Sequence, residues 1–177
     1  MVQAATTMNE HMSADCNSGS LRKSMSAFAT GVAVVTAHVD GRDIGMTINS
    51  FTSLSMDPPL VLWNLRKSSP LLQSFQHCTH YAIHVLSIDQ LHLSRQFSAA
   101  DERFRNVALE RGVANTPLIA HCCAIFECSA EHVYDGGDHV IFVGRIQRHA
   151  AVADRAPLVF HAGRYQRIDS TVRIVST

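Results

Sequence analysis

The chain has 177 residues, of which 46% are hydrophobic and 17% are charged, and this is enough apolar material for one domain with a sizeable core. Lys plus Arg and Asp plus Glu both number 15, so no net field favours nucleic acid or an anionic membrane. Apolar runs such as Pro58 to Leu62 are far shorter than the ~20 residues that a membrane-spanning helix needs. We therefore expect a soluble domain that binds neither nucleic acid nor membrane.

The N-terminal residues 1–20 are rich in Ser, Ala, Asn and Thr and lack the apolar segment of a signal peptide. We expect them to form a disordered tail and place the folded domain at 21–177. The five cysteines show no C-x-x-C spacing, which is typical of reduced thiols in a cytoplasmic protein. His77, Cys78 and His80 lie close together, but no further ligand completes a metal-binding spacing, so we predict no metal site.

The N-terminal third of the domain predicts a helix followed by a β-hairpin. Leu21 to Ala29 carries apolar residues on one side, and Gly31 would cap the end of that helix. The β-branched residues from Val32 predict a strand, and the Asp-Gly pair within Asp40 to Asp43 predicts a tight turn into the next strand.

The middle of the chain alternates predicted strands and short helices. Leu60 to Leu65 predicts a strand after two prolines, and Tyr81 to Leu86 predicts another. Between them, Ser69 followed by proline predicts the start of a helix. Ser87 and Gln90 have the spacing of a capping box, which predicts a second helix through about residue 96.

The C-terminal third is predicted to be β-structure. Asp101 to Pro117 has poor periodicity and predicts a long loop with one helical turn, a length at which loops are usually functional. Two β-rich segments flank the turn at Asp135 to Asp138 as a long hairpin, and Pro157 to Ile168 predicts one final strand. About seven strands joined by hairpins predict a mainly β fold, a closed or nearly closed antiparallel barrel. The chain has no glycine-rich motif of a Rossmann or P-loop nucleotide site.

Small polar residues crowd the segment just before the strand at Leu60. Taken alone, they are most simply explained as the side chains of an edge strand that face water. They are the amide Asn49 and the hydroxyl residues Thr47, Ser50, Thr52, Ser53 and Ser55.

Four segments, in this order, resemble the flavin reductase family, whose members supply reduced flavin to two-component monooxygenases. The similarity covers roughly Leu21 to Ile168, which is nearly all of the predicted domain. The four segments are FATGVAVVTA at Phe28 to Ala37, GMTINSFTSLSMDPPLVL at Gly45 to Leu62, GGDHVIFVGRI at Gly136 to Ile146, and PLVFHAGRY at Pro157 to Tyr165.

The resemblance implies a fold, a reaction and a set of ligands. It implies an FMN-binding split β-barrel with Greek-key antiparallel strands and a few short helices, assembled as a cytoplasmic homodimer. It implies that FMN or FAD binds without a covalent bond and receives a hydride at flavin N5 from C4 of NADH or NADPH. This hydride chemistry belongs to the cofactors, so the protein needs only to orient them. The reduced flavin would then reach a partner monooxygenase by diffusion.

The resemblance also implies which residues form the site. His139 matches the histidine that contacts the nicotinamide nucleotide, with Gly137 allowing close approach and Asp138 orienting the ring. Lys67 and Ser68 match the turn beside the phosphate, although a solvated charge there is nearly as good an interpretation. The other cofactor-binding matches are Thr30, Gly31, Met46, Thr47, Ile48, Asn49, Ser50, Ser53, Leu54, Phe97, Arg103, Phe104 and Tyr165. Phe104 is equally well interpreted as a core residue.

Two other functions are compatible with the same barrel. A flavin-storing protein would bind flavin tightly without oxidising NADH, and the Gly-Asp-His turn at 137–139 favours the enzyme over it. An oxidase of the pyridoxamine-phosphate type would need a basic substrate pocket for a phosphate, which the sequence does not supply. FMN versus FAD, NADH versus NADPH, and the partner monooxygenase stay open at this point.

Overall fold

The fold was analysed in a computed structural model that describes residues 18–99 and 101–168. Most of the predicted N-terminal tail and Cys16 therefore lie outside the described residues. Helix α1 begins at Ser18, three residues before the predicted start of the domain.

The described residues form three α-helices and twelve strands. The helices are α1 (Ser18–Met25), α2 (Leu72–His77) and α3 (Leu91–Ser98). The strands are β1 (Thr30–Gly31), β2 (Ala33–Val39), β3 (Arg42–Ile48), β4 (Thr52–Met56), β5 (Pro59–Arg66), β6 (His80–Val85), β7 (Leu109–Arg111), β8 (Pro117–Ile119), β9 (Ala124–Gly136), β10 (His139–Ala151), β11 (Val159–His161) and β12 (Arg164–Gln166).

One large antiparallel sheet dominates the fold. Its strand order is β3-β2-β6-β9-β10-β5-β4, and two small sheets accompany it, β1-β11-β12 and β7-β8. The prediction of a mainly β fold with a few short helices is thus confirmed. Within the described residues no pairing joins the two edge strands β3 and β4, so the large sheet is open rather than hydrogen-bonded into a closed ring.

Two hydrophobic cores lie on opposite faces of this sheet because side chains alternate along each strand. On β2, Ala33 and Val35 point into the first core, which is built around Trp63 and Phe142. Val34 points the other way into the second core, where α3 packs on the sheet through residues such as Phe97. Every strand that contributes to both cores is therefore covered on both faces.

The predicted hairpin turn and capping box are confirmed, whereas α2 begins at Leu72 with Leu71 as its N-cap, two residues after the predicted Ser69. Asp40 and Gly41 have φ values of 49° and 75°, which are the left-handed values that a two-residue hairpin turn requires. The capping box is also present, with the Ser87 N–H donating to Gln90 Oε1 over 3.1 Å. It opens a short 3₁₀ turn, Ile88–Gln90, that leads directly into α3.

Three sequence predictions about secondary structure were wrong. The segment from Asp101 to Pro117 is not only loop, because it contains β7 and enters β8, with a 3₁₀ turn, Val113–Asn115, between them. The final strand is a hairpin of β11 and β12. Gly31 is a strand residue paired with Val159 rather than a helix cap. These strands have two or three residues, which is too short for side-chain periodicity to identify.

No described helix has both the length and the apolar character that a membrane-spanning helix requires.

Candidate functional site

Three adjoining cavities, of about 240, 230 and 230 Å³, form one groove around Asn49 at the end of β3. All three include Asn49, and we call them together the Asn49 groove. The first is lined by Met46, Thr47, Ile48, Asn49, Ser50, Asn64, Leu65, Arg66, Ser68, Ser69 and His139. The second adds Val32, Phe160 and Tyr165, and the third adds Arg22, Met25, Ser26, Phe28, Thr30 and Ala162. The fold brings together nine of the residues that the sequence predicted for the site. They are Thr30, Met46, Thr47, Ile48, Asn49, Ser50, Ser68, His139 and Tyr165.

The hydroxyl groups at the end of β3 are mostly used inside the protein. Thr47 Oγ1 donates to the Ser94 carbonyl over 2.6 Å. Ser50 Oγ donates to the Asn64 carbonyl over 3.1 Å and accepts from the Asn64 N–H over 3.0 Å. These two side chains therefore use their hydroxyl protons within the protein and fix the shape of the groove.

Asn49 is the polar side chain of this segment that stays available. It is exposed, and its amide makes no hydrogen bond with any described residue. The backbone N–H groups of Asn49, Ser50 and Phe51 likewise find no acceptor in the described chain. Successive free N–H groups beside an amide can bind the polar edge of a ring or an anion.

The cation beside the two serines in the first cavity is Arg66, which sequence reasoning missed. Arg66 ends β5 and lines the groove with Ser68 and Ser69. Lys67 points away from the groove, and its Nζ lies 2.7 Å and 3.0 Å from the two Asp135 carboxylate oxygens. This ion pair lowers the pKa of Asp135. The strand alternation that buries Leu65 and leaves Arg66 exposed could have identified Arg66.

His139 occupies the wall of the groove beside Arg66. The two residues are register partners across β10 and β5. His139 Nδ1 lies 2.7 Å from Asp138 Oδ1, a contact that lowers the pKa of the Asp138 carboxyl. Gly137, at φ 78°, makes the turn, and a side chain there would meet nothing within 4 Å. His139 Nε2 makes no hydrogen bond within the described residues, so it is available to a ligand.

The far end of the groove contains a buried hydroxyl without a partner. Thr30 Oγ1 is inaccessible to solvent and has no hydrogen-bond partner among the described residues. Such a group is costly unless something supplies the missing bond. Tyr165 lies nearby, with its hydroxyl oxygen 2.9 Å from Ser94 Oγ. Its ring meets the Phe160 ring edge-on, with the ring centroids 5.4 Å apart.

The remaining predicted residues lie outside the groove. Phe97 is fully buried in the second core, with its ring 5.0 Å from that of Phe104. Gly45 permits this packing, since a Cβ there would lie 3.0 Å from Phe97 Cε1. Both aromatic rings are therefore packing residues in this structure, which for Phe104 is the second of the two interpretations given above.

Arg103 Nε donates to the Ala99 carbonyl over 2.7 Å, and its side chain does not line the groove. Ser53 and Leu54 are exposed on the edge strand β4, at a register shift, and Gly31 is exposed on β1. In the described ranges there is no group of three or more His, Cys, Asp or Glu side chains that could hold a metal ion.

The donor set of the groove fits a flavin nucleotide. Flavin combines an apolar ring system, a polar edge and an anionic phosphate. The groove supplies apolar walls such as Ile48 and Phe160, a free amide at Asn49 and unpartnered N–H groups, and the guanidinium of Arg66 beside two serine hydroxyls. A carboxylate-rich or metal-binding lining would not have suited such a molecule.

Comparison with known proteins places this chain in a family. The family model for the flavin reductase like domain matches residues 25–169, so the chain belongs to that family. It is 44% identical over 169 residues to the FMN reductase (NADH) SmoA of Agrobacterium fabrum, covering 94% of this chain and 97% of that protein. It is 36% identical to the reductase component of the flavin-dependent trigonelline monooxygenase of Acinetobacter baylyi, covering 82% of this chain and 47% of that protein.

A solved structure supports the same assignment. The NADH:FAD oxidoreductase SgcE6 of Streptomyces globisporus C-1027, in complex with NAD and FAD fragments, superposes with a TM-score of 0.84 at 34% identity. The match covers 89% of this chain and 96% of that one. The split-barrel prediction and the resemblance identified from the four sequence segments are thereby confirmed.

Proposed function

We propose that this protein is an NADH-dependent flavin reductase that reduces FMN or FAD and releases it to a partner monooxygenase. One observation supports this most directly. A single groove contains a cation with two serine hydroxyls, a free amide, and a histidine whose ring is held by a carboxylate. Relatives named as an NADH-dependent FMN reductase and as a monooxygenase reductase component support the same activity.

The proposed roles follow from position. Arg66, Ser68 and Ser69 bind the flavin phosphate, because a guanidinium and hydroxyls are strong partners of phosphate oxygens. Asn49 and the free N–H groups beside it bind the polar edge of the ring. His139, oriented by Asp138, contacts the nicotinamide nucleotide. Hydride transfer itself is chemistry that the two nucleotides supply when they are bound.

No residue of the groove needs to act as a nucleophile or a general base. The protein holds two ring systems in contact, and orientation alone can supply a large rate enhancement. The open mouth of the groove at Phe28, which is 77% exposed, suits a flavin that enters and leaves during turnover.

The test of this proposal is NADH oxidation by purified protein, followed by the loss of nicotinamide absorbance with FMN, FAD or riboflavin added. We expect rapid oxidation that depends on added flavin. We expect His139→Ala to raise the KM for NADH or lower kcat while flavin affinity persists. His132→Ala is a matched control, since this histidine is exposed on β9 outside the groove. Flavin binding without NADH oxidation would favour the flavin-storing protein instead.

The homodimer is part of the same proposal. On edge strand β4, Met56 is 90% exposed and Leu54 is 48% exposed, and an uncovered apolar edge favours association with a second copy. Light scattering should give twice the mass of one chain, and Met56→Glu should shift the protein toward monomer.

A cytoplasmic location is supported by the four described cysteines, which form no disulfide.

A further inference from the structure

We propose that buried Ser94 orients the hydroxyl of Tyr165, so that Tyr165 donates a hydrogen bond to an acceptor on the flavin. This inference rests on the proposed function. Ser94 would be a positioning residue, because it acts on the ligand only through Tyr165.

Ser94 lies behind two residues that line the groove, Thr47 and Tyr165. It is on α3 and is fully buried. Its carbonyl accepts the Thr47 hydroxyl of β3 over 2.6 Å, and its Oγ lies 2.9 Å from the Tyr165 hydroxyl of β12. Thr47 and Tyr165 both line the second cavity of the groove, whereas Ser94 does not. The side chain is thus directly behind the surface that a ligand would contact.

The direction of the Ser94–Tyr165 hydrogen bond follows from burial. Two hydroxyls share one hydrogen bond, so one of the two O–H protons is left over. If Tyr165 donated, the Ser94 proton would be left in a fully buried site, where Ser94 Oγ has no other partner within the described residues. A buried donor without an acceptor is strongly disfavoured. Ser94 therefore donates.

The unused proton consequently belongs to Tyr165. Tyr165 is only half-buried and lines the cavity next to Asn49, so its proton can be directed toward a ligand there. The contact with Phe160 limits the movement of its ring. The carbonyl oxygens and ring nitrogens of a flavin are acceptors of the kind that such a donor recognises. An aliphatic or cationic ligand would offer no acceptor.

The experiment is a comparison of FMN dissociation constants, measured by fluorescence quenching, for wild type, Ser94→Ala, Tyr165→Phe and the double variant. Loss of one neutral hydrogen bond predicts weakening by about fivefold to tenfold for Tyr165→Phe and by a smaller factor for Ser94→Ala. If Ser94 acts only through Tyr165, the Ser94→Ala change has no further effect in the Tyr165→Phe background. A general packing defect would instead weaken binding in both backgrounds.

Ser98→Ala is the matched control, because Ser98 Oγ donates to the same Ser94 carbonyl over 2.8 Å from the same helix. We expect it to leave the FMN dissociation constant unchanged, and the thermal midpoints of the two alanine variants should agree. Equal FMN binding by Ser94→Ala and Ser98→Ala, with normal binding by wild type, would overturn the role of Ser94 alone. Failure of wild type to bind any flavin would overturn the proposed function and this inference together.

Discussion

The two cores on opposite faces of the large sheet differ in their polar content. The first core is an aromatic cluster in which Trp63 stacks on Phe142 at 4.5 Å and meets Phe75 and Tyr81 edge-on. The second core contains fully buried polar side chains such as Thr36, His84 and Ser94. The first core thus depends on packing, whereas the second depends on packing together with specific hydrogen bonds.

Both cores border the groove, because Ile48 and Leu65 of the first core and Val32 of the second core line it. The second core also joins the groove through a hydrogen bond, since the lining residue Thr47 donates to the buried Ser94. Buried hydrogen bonds have preferred geometry and fix positions more narrowly than apolar contacts do. The hydrogen bonds of the second core can therefore hold the groove residues in place more narrowly than the aromatic packing of the first core does.

The largest expected effect is in the first core. Trp63→Ala should lower the free energy of unfolding by about 3–5 kcal/mol, because it removes a fully buried indole and leaves a cavity among three aromatic rings. Denaturant unfolding measures this value, and Trp63→Phe should cost clearly less. A loss below about 1 kcal/mol for Trp63→Ala would contradict the view that this cluster provides much of the stability.

The next effect is a pH dependence that arises in the second core. Complete burial lowers the pKa of His84 from 6.5 to about 4, while Nδ1 donates to the Val34 carbonyl over 3.0 Å. The unfolded chain binds a proton near pH 6.5 and the folded chain does not, so stability from this group falls as the pH drops from 6.5 toward 4. The loss should approach about 3 kcal/mol.

His84→Gln isolates this contribution, because glutamine does not titrate and all other groups are shared with wild type. The unfolding free energy of wild type minus that of His84→Gln should fall by about 3 kcal/mol between pH 6.5 and 4, whichever protein is the more stable at neutral pH. A difference that stays constant over this interval would show that His84 titrates normally and that the second core tolerates a charge.

How far the sequence predicts this molecule depends on how local each feature is. Asp40 and Gly41 predict their turn because the preference for left-handed backbone resides in the residues themselves. The turn at Ala162 and Gly163 has the same sign of φ, 48° and 75°, but alanine carries no such signal, and the hairpin of β11 and β12 was missed.

The functional site was likewise predictable only where its features are local in the sequence. Its β3 segment and His139 were predicted from sequence segments that resemble a family. Arg66 is the last residue of β5 and lines the groove, whereas Lys67 lies just beyond the strand and pairs with Asp135. The Ser94–Tyr165 contact joins residues 71 positions apart, so it depends on the packing of α3 against β12. Alternation along β5 could have indicated Arg66, but the Ser94–Tyr165 contact cannot be deduced from local pattern.

Two neighbouring cations, Arg66 inside the groove and Lys67 outside it, form a matched pair to test this distinction. Arg66→Met should weaken FMN binding by about tenfold or more, because hydrogen bonds to a phosphate are charge-assisted. Its effect on riboflavin, which has no phosphate, should be small. Lys67→Met should change either affinity by less than about twofold, since the exposed Lys67 pairs with Asp135. The reverse order, with Lys67→Met costing more for FMN, would restore the phosphate role that the sequence suggested.

The smallest expected effects come from two polar side chains, Asn49 in the groove and Thr36 in the second core. Asn49→Ala should leave the free energy of unfolding nearly unchanged, because the amide is exposed and bonds to no described residue. It should weaken flavin binding about fivefold, the cost of roughly one hydrogen bond. Thr36→Val is the counterpart, because the buried Thr36 Oγ1 donates to the Pro117 carbonyl over 2.6 Å. That change should cost stability without altering flavin affinity. If both variants affected the same property, the polar groups of the groove and of the second core would form one structural network, and the division of roles between them would be wrong.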